Sequence, residues 1–244
     1  MGDVLVLLSG GQDSTTCLWH AKNAHERHGR EVHAVAFDYG QRHRVELDLA
    51  KRNADHADVA SFTVLPVEAL NLLGQASLTN DSIANVGEGA AVNAYAAKRG
   101  LPPSFVPGRN ALFLTLAAAL AAKLDAPTII TGVCQQDYAG YPDCRESFVD
   151  AQQAALREAL DWPELCIDAP LLHLSKADTW QMAADLGVLS TIVLHTHTCY
   201  EGDRSGAPKP WGYGCGACGA CVERERGFME FIERRGLSPR GPKP

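Results

Sequence analysis

Ser9-Gly10-Gly11-Gln12-Asp13-Ser14 gathers hydroxyls, a carboxylate and two glycines into six positions, directly after the apolar run Val4–Leu8. A strand that breaks at Ser-Gly-Gly and resumes as a helix leaves backbone N–H groups unpaired and pointing outward. The helix dipole adds positive potential at the same point, so the turn suits phosphate. Gly10 and Gly11 allow close approach because no Cβ intervenes. Ser9, Ser14 and Thr15 add hydroxyl donors. No Lys follows the glycines and G-x-G-x-x-G is missing, so neither the Walker loop nor the dinucleotide fingerprint applies. The bland alternative is a strand–turn–helix junction with a serine cap.

Four of the eight cysteines, Cys199, Cys215, Cys218 and Cys221, fall in one short segment interleaved with Gly214, Gly216 and Gly219. Four thiolates on a tightly wrapped backbone suit a closed tetrahedral zinc site. An iron–sulfur cluster is the competing reading. Of the others, Cys17 reads as core, Cys166 is isolated, and Cys134 and Cys144 stand near strand ends, where a thiol role stays open.

Three further groups carry polar chemistry. Phe37-Asp38-Tyr39-Gly40-Gln41-Arg42-His43 ends a strand with hydrogen-bonding groups and an anion clamp for a planar polar ligand, or is a solvated turn. Arg109 in Val106-Pro107-Gly108-Arg109-Asn110 opens a helix, where the dipole disfavours a cation, so an anionic ligand or an acidic partner is expected there. Thr131–Arg145 is dense in aromatics, acids and an Arg; stacking faces with carboxylate acceptors fit a guanine-like base, and an irregular capped loop fits equally. Lys176 reads first as a solvated side chain, though it could balance charge on a leaving pyrophosphate. His173, His195 and His197 read as polar surface or as groups behind the ligands.

The elements that must hold these groups alternate. Strands are expected at Val4–Leu8, Val32–Phe37, Ser61–Pro66, Pro127–Val133 and Leu165–Pro170. Helices are expected at Asp13–Arg27, Val45–Ala57, Asn110–Leu124, Arg145–Leu160 and Lys176–Leu186, the third apolar nearly all round and therefore buried. The fold class is α/β: a Rossmann-like parallel sheet with helices on both faces, plus a small C-terminal four-cysteine segment. The domain reading is residues 1–190 for the α/β domain, 191–235 for the cysteine segment and 236–244 for a tail. Ligands in such folds lie beyond the C-terminal strand ends, where Ser9–Asp13, Asp38–Arg42 and Gly132–Asp137 cluster. Residues 71–104 show no apolar period and read as a lid or a surface insertion.

The 244 residues are 46% hydrophobic and 21% charged, with a net charge of −7 from 22 basic and 29 acidic groups. That balance argues against a broad nucleic-acid footprint. The start carries Asp3 and no basic leader, and the longest apolar stretch, Ala111–Ala122, is shorter than the roughly 20 residues of a membrane span. A cytoplasmic, membrane-free protein is expected.

The loop at 9–14 resembles the SGGxDS loop of the PP-loop ATP pyrophosphatases, which cleave ATP between the α and β phosphates and adenylate a substrate. In order, SGGQDSTTC at 9–17, FDYGQRH at 37–43, VPGRN at 106–110, TGVCQQDYAGYPDCR at 131–145, TCY at 198–200 and CGACGAC at 215–221 resemble the 7-cyano-7-deazaguanine synthase family (QueC) of queuosine biosynthesis. The match is weakest across 71–105. The resemblance implies a ligase that converts 7-carboxy-7-deazaguanine and ammonia to a nitrile, through an acyl adenylate, an amide and a second activation by ATP.

Carried onto this chain, the resemblance implies an ATP site of Leu8, Ser9, Gly10, Gly11, Gln12, Asp13, Ser14, Thr15, Thr16, Cys17 and Leu18, with Mg²⁺ positioned by Asp13. Ser9, Asp13, Ser14 and Arg109 would be catalytic. Tyr39, Gln41, Arg42, Arg109, Asn110, Asp137, Tyr141, Asp143 and Arg145 would shape the pocket for base and carboxylate. It also implies structural zinc, a homodimer and no stable nucleic-acid partner; the lack of an obvious glutaminase domain favours free ammonia. Two other readings compete. A PP-loop tRNA sulfurtransferase would use Cys134 as its persulfide carrier. A zinc-knuckle nucleic-acid-binding module would use Arg224, Arg226, Arg234 and Arg235, although Glu223, Glu225, Glu230 and Glu233 alternate with them as on a solvated helix face.

Overall fold

Val4–Leu7 (β1), Val32–Asp38 (β2), Ser61–Pro66 (β3), Thr128–Ile130 (β4) and Cys166–Asp168 (β5) pair in parallel in the order β3-β2-β1-β4-β5. The computed structural model describes residues 2–41, 44–70, 94–102, 104–135 and 140–237. β1 is apolar at every position because a parallel strand is covered on both faces. Leu5, Val35 and Ile129 face one layer; Val4, Val6, Ala34, Ala36 and Ile130 face the other.

Helices Gln12–His25 (α1) and Val45–His56 (α2) cover one face. Ala94–Lys98 (α3) is a short helix before Arg109–Leu124 (α4) and Glu146–Leu160 (α5), which cover the other. α4 is not buried all round. Leu114, Ala117, Ala118 and Ala121 form its buried stripe while Thr115, Ala119, Ala122 and Lys123 are exposed, because one sheet face covers only one side of a surface helix. β4 is shorter than the apolar run suggests: after Ile130 the chain leaves the ladder, and Gly132 passes the start of α1. A Cβ there would lie 3.0 Å from the Ser14 nitrogen. The expected lid falls mostly on 71–93, outside the described residues, while 94–98 is helical.

Lys176–Asp185 (α6), Leu189–His195 (α7) and Gly219–Arg234 (α8) form a third cluster with the cysteines. Ser175 caps α6 in a capping box with Asp178, accepting from the Asp178 N–H at 3.2 Å. Trp180, Trp211, Phe228 and Phe231 fill this cluster's core. Arg224 is not on a solvated face: it is 1% exposed, and it donates to the carbonyls of Trp211 and Ile192 and the hydroxyls of Thr196 and Thr198 at 2.6–2.9 Å. Burial lowers it to about 10, still a cation at neutral pH. No helix among the described residues is long and apolar enough to cross a membrane.

Candidate active site

The strand order reverses between β1 and β4, since β2 and β3 lie to one side of β1 and β4 and β5 to the other. Connections leave the sheet in opposite directions there and open a crevice at the strand ends. A cavity of about 300 Å³ occupies it. Leu7 and Leu8 of the first strand end, Phe37 of β2 and Thr131–Cys134 after β4 line it, together with Ser9, Gly11, Gln12, Asp13 and Ser14.

The glycine loop is held from three sides. Ser9 Oγ and Ser14 Oγ lie 3.0 Å apart, and the Ser9 N–H donates to Ser14 Oγ at 3.1 Å. Gly10 has φ +81° and rests on α2: a Cβ would come within 2.4 Å of the Glu46 carbonyl. The Gly10 carbonyl accepts from the His197 N–H at 3.0 Å. His197 is thus not surface but 1% exposed, pressed between the loop and the cysteine segment. Gly11 caps α1 without a side-chain hydrogen bond, so the first-turn N–H groups face the cavity mouth as an anion cradle. Gln12 is buried, and neither atom of its amide has a partner among the described residues.

Asp13 Oδ2 accepts from Lys176 Nζ at 2.8 Å, with both side chains largely buried. Lys176 is therefore not a solvated lysine. Its partner is distant in sequence, so a local reading had no means to find it. Asp13 Oδ1 is buried and unpartnered among the described residues. A hard cation on bound phosphates takes one such carboxylate oxygen and completes its shell with phosphate and water.

The opposite wall is aromatic and charged. Phe37 and Phe113 stack at 4.1 Å and 5°, and Tyr39 meets Phe113 at 5.4 Å. Arg109 lines the cavity one helical turn before Phe113. Burial opposes its charge, but Tyr39, Tyr141 and Asp143 outweigh burial and hold it above the usual range. Tyr39 is pushed up to about 12 by burial and Glu46, against Arg109. Burial raises Asp143, countered by Arg109 and by the Asn110 N–H, which donates to it at 3.3 Å. Gln41 turns inward, accepting from the Tyr39 N–H and donating to the Phe37 carbonyl. Tyr141 shares a 2.5 Å hydrogen bond with Ser104.

Not every expected residue reaches the cavity. Leu8, Ser9, Gly11–Ser14, Tyr39, Gln41, Arg109, Asn110 and Tyr141 line it; Asp143 lies behind Asn110. Thr15, Thr16, Cys17 and Leu18 are buried beneath the loop rather than along the cavity wall, and burial raises the Cys17 thiol. Arg145 is exposed at the start of α5. Arg42 and Asp137 lie outside the described residues. Glu46 lines the cavity and was missed. Its signal is positional, because Glu46, Leu49, Ala50 and Asn53 follow i, i+3, i+4, i+7 and put a carboxylate on the inward stripe of α2.

The four clustered sulfurs lie within 4.8 Å of one another, with Cys215–Cys221 at 3.9 Å and Cys199–Cys218 at 4.0 Å. Metal–sulfur bonds of about 2.3 Å in a tetrahedron separate sulfurs by about 3.8 Å, so the donor set fits one tetrahedral metal ion. The N–H groups of Cys215, Ala217 and Cys218 point at sulfurs at 3.3–3.4 Å, which stabilises thiolates. Donation from Cys218 and Cys221 drives Cys199 well below the usual thiol range and leaves the donors above it.

A parallel sheet with a glycine-rich anion loop at its reversal point and a closed four-thiol cluster defines an α/β protein of the PP-loop type. The family model described as "Queuosine biosynthesis protein QueC" matches residues 3–232. A 7-cyano-7-deazaguanine synthase of Polaromonas sp. strain JS666 is 46% identical over 240 residues, covering 93% of this chain and 95% of its own. One from Polaromonas naphthalenivorans strain CJ2 is 44% identical over 248 residues, covering 94% of each. The chain belongs to the QueC family.

Proposed function

We propose that this protein is an ATP-dependent synthase that converts 7-carboxy-7-deazaguanine and ammonia to 7-cyano-7-deazaguanine. The observation that carries the reading is the near full-length likeness to relatives of that name. The cavity supports it, since one space holds an anion loop, a buried Arg and a stack of aromatic rings.

The chemistry needs activation because hydroxide is a poor leaving group and AMP a good one. The N–H groups of Gly10, Gly11 and Gln12, with the Ser9 and Ser14 hydroxyls, hold the β and γ phosphates as pyrophosphate departs. Lys176 holds Asp13 Oδ2 in place, and Oδ1 would face Mg²⁺ on those phosphates. Arg109 neutralises the substrate carboxylate and orients it toward the α phosphorus, while Tyr39 and Tyr141 line the flat base. Ammonia displaces AMP to give the amide, and a second activation of the amide oxygen leads to the nitrile. Cys199, Cys215, Cys218 and Cys221 would hold zinc, which supplies folding energy and no redox step. The partners are small molecules, with free ammonia as nitrogen donor, in a cytoplasmic homodimer.

Mass spectrometry of the protein supplied with ATP, Mg²⁺, ammonium and 7-carboxy-7-deazaguanine tests the reading. A nitrile with AMP and pyrophosphate is expected; untouched ATP and unchanged acid contradict it. Cys134 Sγ donates to the Leu174 carbonyl at 3.1 Å, which favours a structural thiol over a sulfur carrier. Cys134→Ala should therefore keep turnover within about threefold, well under the 10²-fold or larger loss expected for a covalent catalyst.

A further inference from the structure

Glu46 is the cavity's unassigned carboxylate. It stands in the first turn of α2, and its main-chain carbonyl packs directly on Gly10. Its side chain turns into the space that the glycine loop shares with Arg109. It therefore shares one cavity with the phosphate cradle and with Arg109, the cation that would hold the substrate carboxylate and whose charge acts on it. A carbonyl carbon joined to the α phosphate must sit in that same cavity.

Resting on the nitrile-forming reading of this site, we propose that Glu46 is the proton acceptor for the amine nitrogen. In the first half, the ammonia lone pair bonds to the acyl carbon and the carbon–oxygen bond to phosphate breaks. AMP leaves with the electron pair, and the third nitrogen proton passes to the Glu46 carboxylate. In the second half, the amide oxygen displaces pyrophosphate from ATP and one N–H proton passes to water. The remaining N–H proton passes to Glu46 as AMP leaves and the triple bond forms. Glu46 returns each proton to solvent before the next transfer.

A carboxyl group suits this work here. Burial raises Glu46 to about 7 against the pull of Arg109, so it both accepts and releases a proton near neutrality. The groups facing it from neighbouring elements leave that balance intact. Tyr39, after β2, is held neutral by its raised value. Asp13 on the loop is paired with Lys176. His195 of α7, against α2, is lowered by burial, Arg52 and His56. On α2 itself Asp48 is exposed.

The test compares wild type, Glu46→Gln and Glu46→Asp in two assays. Acid-dependent exchange of labelled pyrophosphate into ATP reports adenylation alone. Amide plus nitrile formation, followed across neutral pH with total ammonium adjusted to keep free ammonia constant, reports nitrogen transfer. In Glu46→Gln, nitrogen transfer falls at least about 100-fold and loses its rise through neutrality, while exchange falls less than about tenfold. Glu46→Asp keeps the rise at a lower rate. Hydroxylamine, a weaker base that is uncharged at neutral pH, restores transfer in Glu46→Gln as hydroxamate. Equal loss of exchange and transfer overturns the proposal and makes Glu46 a binding residue for the base. Unchanged transfer, or no gain from hydroxylamine, also overturns it. A wild type that exchanges no pyrophosphate with this acid fails the functional reading instead.

Discussion

Asp13 divides its two oxygens: Oδ2 is held by Lys176, and Oδ1 is buried without a partner among the described residues. Replacing Ser9 and Asp13 together by Ala removes a loop hydroxyl and this carboxylate. Pyrophosphate release should fall below detection while metal content stays unchanged, measured by a phosphate-coupled assay and metal analysis on the same sample. Retained release removes the loop from the mechanism. Glu46 gives a second residue-scale prediction, in stability. Its acid strength is about 4.5 when free and about 7 in the fold, so the folded state binds the extra proton. Stability from this group is full below pH 4.5 and is lost as pH rises through 7, by up to about 3 kcal/mol. Glu46→Gln should therefore gain on wild type in urea unfolding as pH rises across that window; a constant difference contradicts the raised value. The turn Ser9–Ser14 between β1 and α1 was legible because its residues are consecutive and follow an apolar run. Lys176 and His197 were not, because their burial is set by partners that the fold brings from far along the chain.

At the scale of elements, α8 ties the cysteines to the loop. Cys218 caps it, Cys221 stands in its first turn and Arg224 is buried one turn later. Arg224 reaches Thr196 and Thr198, and His197 between them donates to Gly10. Lys cannot make this fork of contacts, and the freed carbonyls stay buried. Arg224→Lys should cost about 2–4 kcal/mol in chemical denaturation, by loss of several buried bonds. Stability within experimental error of wild type would show that the network carries no load. Gly10→Ala meets the Glu46 carbonyl in a left-handed conformation, and should cost about 1–3 kcal/mol and shift the loop. Wild-type stability and exchange rate in that variant would contradict the close packing of loop on α2. The alternation of strands and helices was legible from apolar periodicity. The open side of α4 was not, because Ala is apolar on any scale yet small enough to be left uncovered on a helix surface. The reading of Arg224 as solvated failed similarly: alternating charge describes a helix face only until one position turns inward.

Across the whole molecule, the reversal between β1 and β4 brings together residues from 9–14, 37–41, 46–47, 109–113, 131–134 and Tyr141. The cysteine cluster closes the same region through 197–200, which line the cavity. A structural metal held by these four thiols would supply on the order of 10 kcal/mol of folding free energy. Stripping it should therefore melt α8 and lower pyrophosphate exchange together, seen as parallel losses of helical circular dichroism and exchange on titration with a chelator. Full exchange after complete metal loss would show that the two ends are independent. The parallel sheet was legible, since a repeated strand–helix pattern leaves few topologies and puts the motifs that begin at Ser9 and Thr131 at strand ends. What lay beyond the sequence was how the cysteine segment sits on the loop, a matter of long-range packing. The most direct measurement of the central claim follows oxygen. With ¹⁸O in both carboxylate oxygens of 7-carboxy-7-deazaguanine, the account predicts two AMP per nitrile, each carrying one ¹⁸O, and unlabelled pyrophosphate. Unlabelled AMP, or label in pyrophosphate, would contradict activation of the carboxylate and then the amide at the α phosphorus.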